Sequence, residues 1–515
     1  MKQCIAFFAH YKLRLLFLFA FLIRLIHLNQ SLWLDEATTA MTVKTFGFFE
    51  IVTKFSPHDF HPPLYYLFMD LWTNIFGYSE IALRMPSVLF SMGTGLIIYL
   101  ILNKNSGFFG RKLSQNDSVG YWSAAFFLFN PLIIYYSQEA RMYSMTTFFI
   151  AISFYYLINF LTSNVKRLTS NFWLMNLFLI LSFFTFYASI FYIATVWLYL
   201  VLKKQYHLAF LSFGIWILAF LAIVPLLLVQ YAGSREVLVL VTNWSLVLGK
   251  VTLKNLLLIP IKFTSGRISF FPKSFYYALA GGWMGFIALI IITGSRIKSG
   301  MTKMALFFLI IPLILGVLFS FNSPLLQYFR FQYLIVFLSI LLALAVCSFD
   351  TLFAHAVTLK GPTALIRKKV SSLTRARIIG IFVLMGFVGW SFLYLFFPQF
   401  HREDWKSLSH VLKNERAPIY MILSSSDPLK YYAPEIKIED IRLLDSSRPL
   451  ADQNDNEIPR GSLVGENHGN LYVLPYTTDI HGVDYKQILE SKGYIYADTH
   501  SVRGLSYEKW TLGES

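Results

Sequence analysis

Residues 15–40 carry the stretch that decides the fold, LLFLFAFLIRLIHLNQSLWLDEATTA. An apolar run long enough to cross the apolar core of a bilayer ends at polar residues, and two adjacent acids follow it. Basic residues precede the run but no small-residue cleavage site follows it, which predicts an uncleaved first membrane span. Trp33 is expected to mark the lipid–water boundary, so that Asp35 and Glu36 lie where a lipid headgroup meets water.

The rest of the chain repeats such apolar runs. Together with the first run, near 12–29, they predict about 11 transmembrane helices, the others lying near 82–102, 120–136, 142–161, 171–187, 189–203, 207–229, 276–294, 303–321, 326–349 and 377–399. The 515 residues are 56% hydrophobic and only 14% charged, whereas roughly a quarter of a soluble domain is charged. Residues 1–399 are therefore predicted to form a mostly α, polytopic membrane module.

The charge distribution predicts how the spans are oriented. Residues 1–399 hold 31 Lys and Arg but only 10 Asp and Glu, whereas residues 400–515 hold 13 and 18. With a cytoplasmic N-terminus, the inside loops receive Lys104, Arg111, Lys112, Lys166, Arg167, Lys203, Lys204, Arg296, Lys298, Lys303, Lys360, Arg367, Lys368, Lys369, Arg375 and Arg377. This distribution follows the positive-inside rule and places residues 400–515 outside. Topology thus explains the basic excess, and a nucleic-acid partner is not expected.

Two long outer loops and the tail have their own patterns. In loop 30–81, EATTAMTVKTFGFFEIVTKF and PPLYYLFMDLWTNIFG predict two amphipathic helices in the membrane interface, with a short tilted span as the alternative for the second. The other long loop is 230–275. In residues 400–515, DWKSLSHVLKN predicts a helix, and APIYMILSSS, LYVLPY and YIYADTHS predict strands of a small α/β domain. Cys4 and Cys347 are too few for a disulfide framework or a cysteine-based metal site.

The scarce acids indicate where chemistry occurs. Six of the ten acids of residues 1–399 lie in loop 30–81, and none lies at the centre of a predicted span. Ion-coupled transporters usually need such a mid-span group, so the pattern favours chemistry at the outer face. Asp35 and Glu36 are the first candidates for catalytic groups. They are also what the first turn of a helix prefers, and the two roles are compatible.

The segment HDFHPP offers a second constellation. His58, Asp59 and His61 have the spacing and chemistry to ligate a divalent metal. The alternative is a polar turn in which Pro62 and Pro63 begin the next helix.

Arginines recur at the outer ends of the predicted spans. Glu80 and Arg84 lie four residues apart in SEIALRMPS, Glu139 and Arg141 lie in YYSQEARMYS, and Arg330 lies in SPLLQYFRFQYL. A helical ion pair or snorkelling of each arginine to the interface is the structural alternative. Three arginines at one level, close to acids and tyrosines, favour an anionic lipid headgroup, because a guanidinium matches phosphate oxygens.

These motifs, taken in order, resemble the GT-C superfamily of membrane glycosyltransferases, and within it the glycosyltransferase family 39 type. Protein O-mannosyltransferases and lipid A aminoarabinose transferases are the related groups. The similar features are LDEA after the first span, HPPLYY, SE-x-x-x-R-x-PS, YSQEARMYS, SP-x(5)-R and the later REDWKSL. They cover most of the chain.

The resemblance implies a transferase that takes a sugar from a polyprenyl-phosphate carrier and passes it, with inversion, to an acceptor hydroxyl. It implies Asp35 as the base, with Glu36 beside it, and Arg84, Arg141 and Arg330 as binders of the donor phosphate. The matching motifs also offer substrate-binding residues, namely His61, Tyr65, Glu80, Glu139 and Tyr143. Some relatives use a divalent metal and others do not, so no cofactor is fixed. Because the large repeat domain of eukaryotic O-mannosyltransferases is not present in this sequence, a lipid or glycan acceptor is favoured over a protein.

Two other functions remain open. One is a lipid-linked oligosaccharide ligase or polymerase, which a larger and more basic pocket in loop 230–275 would favour. The other is a lipid-linked sugar transporter without chemistry. For each of these functions the expected location is the inner (cytoplasmic) membrane of a bacterium, with the N-terminus in the cytoplasm.

Overall fold

The computed structural model describes residues 2–104, 116–162, 170–241, 243–294, 300–356, 362–413, 415, 418–444 and 469–513. The predicted inside residues Arg111, Lys112, Lys166, Arg167, Arg296, Lys298 and Lys360 lie outside the described residues.

Helices dominate the chain, as predicted. Residues up to 200 form α1 (Lys2–Leu25), α2 (Leu34–Thr45), α3 (Phe48–Glu50), α4 (Leu64–Phe76), α5 (Glu80–Lys104), α6 (Asn116–Leu128), α7 (Pro131–Ser137), α8 (Tyr143–Thr162), α9 (Ser170–Thr185) and α10 (Ile190–Leu202). Later residues form α11 (Tyr206–Leu240), α12 (Trp244–Leu248), α13 (Leu253–Ser265), α14 (Lys273–Gly294), α15 (Gly300–Ser320), α16 (Ile335–Ala356) and α17 (Pro362–Phe396). The last helices are α18 (Trp405–Leu412), α19 (Asp427–Tyr432), α20 (Thr478–His481) and α21 (Tyr485–Ser491).

The prediction of a polytopic, mostly α membrane protein is confirmed. Within the described ranges, 7 helices are long and apolar enough to cross a membrane, and a bent pair formed by α6 and α7 makes up to 8. The tightly coupled runs near 171–187 and 189–203 form two shorter apolar helices, α9 and α10. The total of about 11 spans stays a prediction.

The bend of 58° between α6 and α7 has a local cause. Pro131 cannot continue the hydrogen-bond ladder of a preceding helix, so it begins a new one. Asn130 caps that helix, because its side-chain oxygen accepts from the backbone nitrogens of Leu132 at 3.0 Å and Ile133 at 3.2 Å. At the other side of the break, the guanidinium of the fully buried Arg24 donates to the carbonyl oxygen of Leu128 at 2.8 Å. Both helix ends at the bend thus have hydrogen-bond partners.

The chain folds into two compact units that do not follow its linear order. Unit 1 contains Met1–Leu28, Arg84–Ile223 and Gly249–Phe400, and unit 2 contains Asn29–Leu83, Val224–Leu248 and His401–Ser515. The first long loop and the tail therefore belong to the same unit. The sequence-based division into 1–399 and 400–515 stays a prediction about domains.

The tail in unit 2 forms a small mixed sheet, which confirms the predicted α/β character. Its strands are β1 (Ile419–Met421), β2 (Ile438–Asp440), β3 (Asn470–Val473), β4 (Tyr494–Val502) and β5 (Leu505–Leu512), in the order β2-β1-β3-β5-β4. β1 pairs in parallel with β2 and β3, in the register Ile419↔Ile438 and Ile419↔Tyr472, and the other pairs are antiparallel. β2 and β5 were not among the predicted strands.

One face of this sheet fixes the two helices that matter below. Trp405 of α18 and Leu429 of α19 are fully buried in one cluster with Ile419 and Met421 of β1. The predicted helix at DWKSLSHVLKN is α18, and Asp404 caps it by accepting from the backbone nitrogen of Ser407 at 3.1 Å. Since α18 and α19 share this core, their outward side chains have fixed positions relative to one another.

Candidate functional site

The acidic segment, residues 31–38, lies in unit 2. Asp35 and Glu36 occupy the first turn of α2, where their charges interact favourably with the helix dipole. Glu36 is fully buried, whereas Asp35 is half-buried. The N-cap residue Trp33 provides no side-chain hydrogen bond to the helix, so the N-terminus of α2 lacks a local side-chain cap.

Glu80, at the start of α5, is tied to the tail within the same unit. Its carboxylate accepts from Lys406 Nζ at 3.0 Å and from the Tyr432 hydroxyl at 3.2 Å. The spacing of Glu80 and Arg84 predicts a helical ion pair, and the resemblance implies a substrate-binding role for Glu80. Its contacts with the tail give this carboxylate a third role, that of a structural link.

The HDFHPP segment forms a turn before α4, in which the structure brings two of its three polar side chains together. His61 Nδ1 lies 3.3 Å from Asp59 Oδ1, while His58 is exposed. Gln230 of α11 donates to the carbonyl oxygens of Ser56 at 2.7 Å and His61 at 3.0 Å, which fixes the turn.

A metal site at this turn stays a prediction. Among the residues that the structure describes, no three His, Cys, Asp or Glu side chains are grouped to hold a metal ion. The residues present thus do not supply a complete protein ligand set. Tyr65, the nearby aromatic candidate on α4, is buried beside Tyr66, with 6.0 Å between the ring centroids.

In unit 1, the corner between α7 and α8 contains two of the candidate side chains in buried positions. Glu139 is 3% exposed and Arg141 is 4% exposed. Gln138 holds this corner against the end of α1, because its side-chain nitrogen donates to the carbonyl oxygens of Arg24 at 2.9 Å and Ile26 at 2.7 Å. Burying a charge is costly, so such groups in a fixed corner are typical of functional sites.

Three arginines make cation–π contacts with one connected set of rings. We call these rings the aromatic group, which consists of Tyr135, Tyr136, Tyr143 and Phe329. Adjacent rings in this group have centroids 5.0 Å apart for Tyr135 and Tyr136, 5.3 Å for Tyr136 and Tyr143, and 5.5 Å for Tyr143 and Phe329. The guanidinium carbon lies 5.9 Å from the Tyr143 centroid for Arg141, 5.6 Å from Phe329 for Arg330, and 5.2 Å from Tyr135 for Arg267. These are cation–π distances.

Arg84 lies next to this corner within unit 1. It is 1% exposed, and its Nη1 donates to the carbonyl oxygen of Leu28 at 2.9 Å. One turn later on α5, the hydroxyl of Ser87 donates to the carbonyl oxygen of Arg141 at 3.4 Å. The structure therefore brings Arg84, Arg141 and Arg330 into one region, although they are distant in the chain.

Arg267 is the residue that sequence reasoning missed. Its guanidinium donates to the Tyr135 hydroxyl as well as lying over that ring. The preceding Gly266 has φ +76°, and a Cβ there would approach Pro131 Cβ to 3.0 Å, so this close approach needs a glycine. The signal in the sequence was present, since KFTSGR places a lysine and an arginine around a Ser-Gly turn in the second long loop.

Lys262 holds the loop that carries Arg267. Its Nζ, in a side chain 6% exposed overall, donates to the carbonyl oxygens of Arg267 at 3.0 Å and Ile268 at 2.7 Å and to the Tyr276 hydroxyl at 2.8 Å. Burial, aided by the positive charges of Arg267 and Lys273, lowers the pKa of Lys262 from 10.5 to about 7. Lys262 thus binds protein groups with all three of its donors.

The family model described as dolichyl-phosphate-mannose-protein mannosyltransferase matches residues 60–230. No curated protein matches the sequence. The matched residues 60–230 include the HPPLYY, SE-x-x-x-R-x-PS and YSQEARMYS motifs.

Solved structures match almost the whole chain. ArnT from Cupriavidus metallidurans, in the apo state, has a TM-score of 0.52 and 11% identity and covers 97% of this chain and 98% of its own. The same protein bound to undecaprenyl phosphate has a TM-score of 0.50 and 9% identity, over 99% of this chain and 98% of its own. An oligosaccharyltransferase from Archaeoglobus fulgidus has a TM-score of 0.49 and 11% identity, over 96% and 72%. At these identities the likeness to the two ArnT structures shows a common fold, and with the family match it confirms the resemblance to GT-C membrane glycosyltransferases.

Proposed function

We propose that this multi-pass membrane protein, which has the GT-C fold, is a glycosyltransferase that uses a polyprenyl-phosphate-linked sugar. The observation that carries the proposal is the set of three arginines, Arg141, Arg267 and Arg330, around the aromatic group. The planar guanidinium group binds phosphate oxygens through bidentate hydrogen bonds, and the rings limit access of water to the arginines. The ArnT match supports the class of donor, because that protein was solved with undecaprenyl phosphate.

The proposed reaction is a single displacement. An acceptor hydroxyl oxygen attacks the anomeric carbon of the sugar and forms the new glycosidic bond, while the bond from that carbon to the lipid phosphate breaks. Asp35 takes the proton of the acceptor, with Glu36 as the second candidate in the same helical turn. The phosphate leaves with the electron pair of the broken bond, and its charge is stabilised by arginines. One displacement inverts the anomeric configuration.

The remaining candidates have supporting roles in this proposal. Arg84 binds the donor phosphate together with Arg141, Arg267 and Arg330. Glu139 and Tyr143, which lie at the same corner as Arg141, are candidates for substrate binding. His61, Tyr65 and Glu80 are candidates for substrate binding. No step is assigned to a metal, because the described ligands at His58, Asp59 and His61 do not form a complete set. The acceptor is proposed to be a lipid or a glycan.

The test is sugar transfer from a radiolabelled polyprenyl-phosphate donor by the purified full chain in lipid nanodiscs. Asp35→Asn should abolish transfer, since an amide cannot accept the proton, while the amount and thermal stability of the protein stay unchanged. Glu50→Gln is the matched control, because Glu50 is an acid of the same loop that is exposed and paired with Lys54 at 2.6 Å. Transfer by Asp35→Asn at the wild-type rate would refute the assignment.

A ligase or polymerase that moves a whole lipid-linked glycan is the second candidate. The basic residues Arg267 and Lys273 of the second long loop favour it, since a pyrophosphate-linked donor carries more negative charge. The same assay separates the possibilities: transfer of one sugar supports the first proposal, transfer of a block supports the second, and no transfer at all favours a transporter. The proposed location is the inner membrane of a bacterium, with the N-terminus in the cytoplasm and the reaction at the outer face.

A further inference from the structure

The acidic segment receives contacts from the tail, more than 360 residues later in the chain. The hydroxyl of Ser31 accepts from the backbone nitrogen of Lys406 at 3.1 Å, and the backbone nitrogen of Leu32 donates to the hydroxyl of Tyr432 at 2.9 Å. All these residues lie within unit 2, so these contacts are internal to one compact body.

Two more contacts join the tail to the acidic segment. The guanidinium carbon of Arg402 lies 3.5 Å from the centroid of the Trp33 ring, which is a close cation–π contact. The Thr38 hydroxyl donates to Asp427 Oδ2 at 2.7 Å. The tail thus contacts residues before and after the acid pair.

The tyrosine at position 432 is the centre of this arrangement. Its hydroxyl accepts from the backbone of Leu32 and donates to the Glu80 carboxylate at 3.2 Å, so one oxygen joins the acidic segment to the start of α5. Lys406 binds the same Glu80 oxygen at 3.0 Å. Since a hydroxyl has one donor and two acceptor sites, both hydrogen bonds of Tyr432 can form together.

Local sequence does not hold α2 in this position by itself. Its sequence LDEATTAMTVKT contains four threonines, whose branched side chains lower helix propensity. Trp33 offers no side-chain cap. The orientation of the first turn, where Asp35 and Glu36 lie, therefore depends on tertiary contacts.

We propose that the tail is a positioning element for the acid pair, and that Tyr432 is its central positioning residue. The inference rests on the proposed function, in which Asp35 is the base. A base that is displaced by a fraction of an ångström loses its alignment with the attacking hydroxyl, whereas donor binding is unaffected. Loss of the Tyr432 hydroxyl therefore lowers kcat and leaves the KM for the donor unchanged.

The experiment compares Tyr432→Phe with Tyr431→Phe in the full chain. Tyr431 is the matched control, because it is the adjacent residue of α19 and its hydroxyl donates at 2.6 Å to the carbonyl oxygen of Tyr78, which lies outside the acidic segment. Two quantities are measured: transfer kinetics, and amide hydrogen exchange in the peptide that covers residues 29–40. Tyr432→Phe should increase exchange in that peptide and lower kcat by about tenfold or more at constant donor KM. Tyr431→Phe should leave both close to wild type.

A second pair of variants tests the positioning role of the tail at another contact, the hydrogen bond between Thr38 and Asp427. Asp427→Asn keeps an acceptor oxygen for Thr38 and should retain activity, whereas Asp427→Leu removes it and should lower kcat with faster exchange at residues 29–40. A drop in kcat without faster exchange, or faster exchange without a drop in kcat, overturns the positioning role. If the wild-type chain transfers no sugar, the proposed function fails, while the exchange comparison still decides whether the tail holds the segment.

Discussion

The side chain of Asn130 joins the break between α6 and α7 to the end of α13, because its Nδ2 donates to the carbonyl oxygen of Phe263 at 2.7 Å. The same side chain caps α7 through its oxygen. One amide thus fixes the corner region of unit 1 and connects it to the helix that precedes Arg267. A residue that serves two elements in this way should be important for stability.

We expect Asn130→Ala to lower the free energy of unfolding by about 2 kcal/mol, from the loss of a helix cap and of one buried hydrogen bond. Asn255→Ala is the control, because the exposed Asn255 side chain also donates to a carbonyl oxygen, that of Lys250, at 2.8 Å. The measurement is thermal unfolding in detergent. Equal transition temperatures for the two variants would contradict the prediction.

Arg24→Lys should also destabilise the protein. The Arg24 guanidinium donates to three partners, the carbonyl oxygens of Ala20 and Leu128 and the hydroxyl of Ser91. A compact ammonium cannot reproduce this fork, and an unsatisfied buried carbonyl costs about 2 kcal/mol. The exposed Arg14 in the same helix provides the control Arg14→Lys, which should unfold at the wild-type temperature. An unchanged Tm for Arg24→Lys would show that the fork is dispensable.

The buried Lys262 predicts a pH-dependent stability. Because its folded pKa is lowered to about 7, the folded chain binds fewer protons than the unfolded chain between that value and the usual 10.5. The contribution of Lys262 to the free energy of unfolding therefore rises with pH between about 7 and 10.5. Below this interval the full cost of burying the charged ammonium group is present. In Lys262→Met the rise should disappear. Unfolding of both proteins from pH 6 to 9 tests this, and parallel pH profiles would contradict it.

Arg267→Lys should weaken binding of the donor. Lysine keeps the charge but loses the planar fork and the contact with the Tyr135 ring, so we expect the KM for the donor to rise by about tenfold, the equivalent of one charge-assisted hydrogen bond. Arg235→Lys, a change at an exposed arginine that belongs to unit 2, is the comparison. The rates of transfer over a range of donor concentrations provide the answer. A donor KM equal to that of wild type would remove Arg267 from the phosphate-binding set.

Part of the candidate site could be predicted from local patterns in the sequence. YSQEARMYS and SP-x(5)-R identified Arg141 and Arg330, because arginines beside tyrosines at the ends of apolar runs stand out in the sequence. Arg267 was missed, since its loop has no apolar periodicity and its partner Tyr135 is 132 residues away. Likewise, α18 followed from its amphipathic pattern, whereas the short strand β2 has only three residues and gave too little alternation to be recognised.

What the sequence alone determined is the kind of molecule: apolar runs of membrane length, a biased charge distribution and a polar tail with alternating segments. These are local properties, and local periodicity is sufficient for them. What only the tertiary structure decided is which side chains meet. Leu32 and Tyr432 are 400 residues apart, and no pattern of spacing links them. Their contact depends on the packing of α19 against the sheet and of α2 against α19, which is a property of the folded chain as a whole.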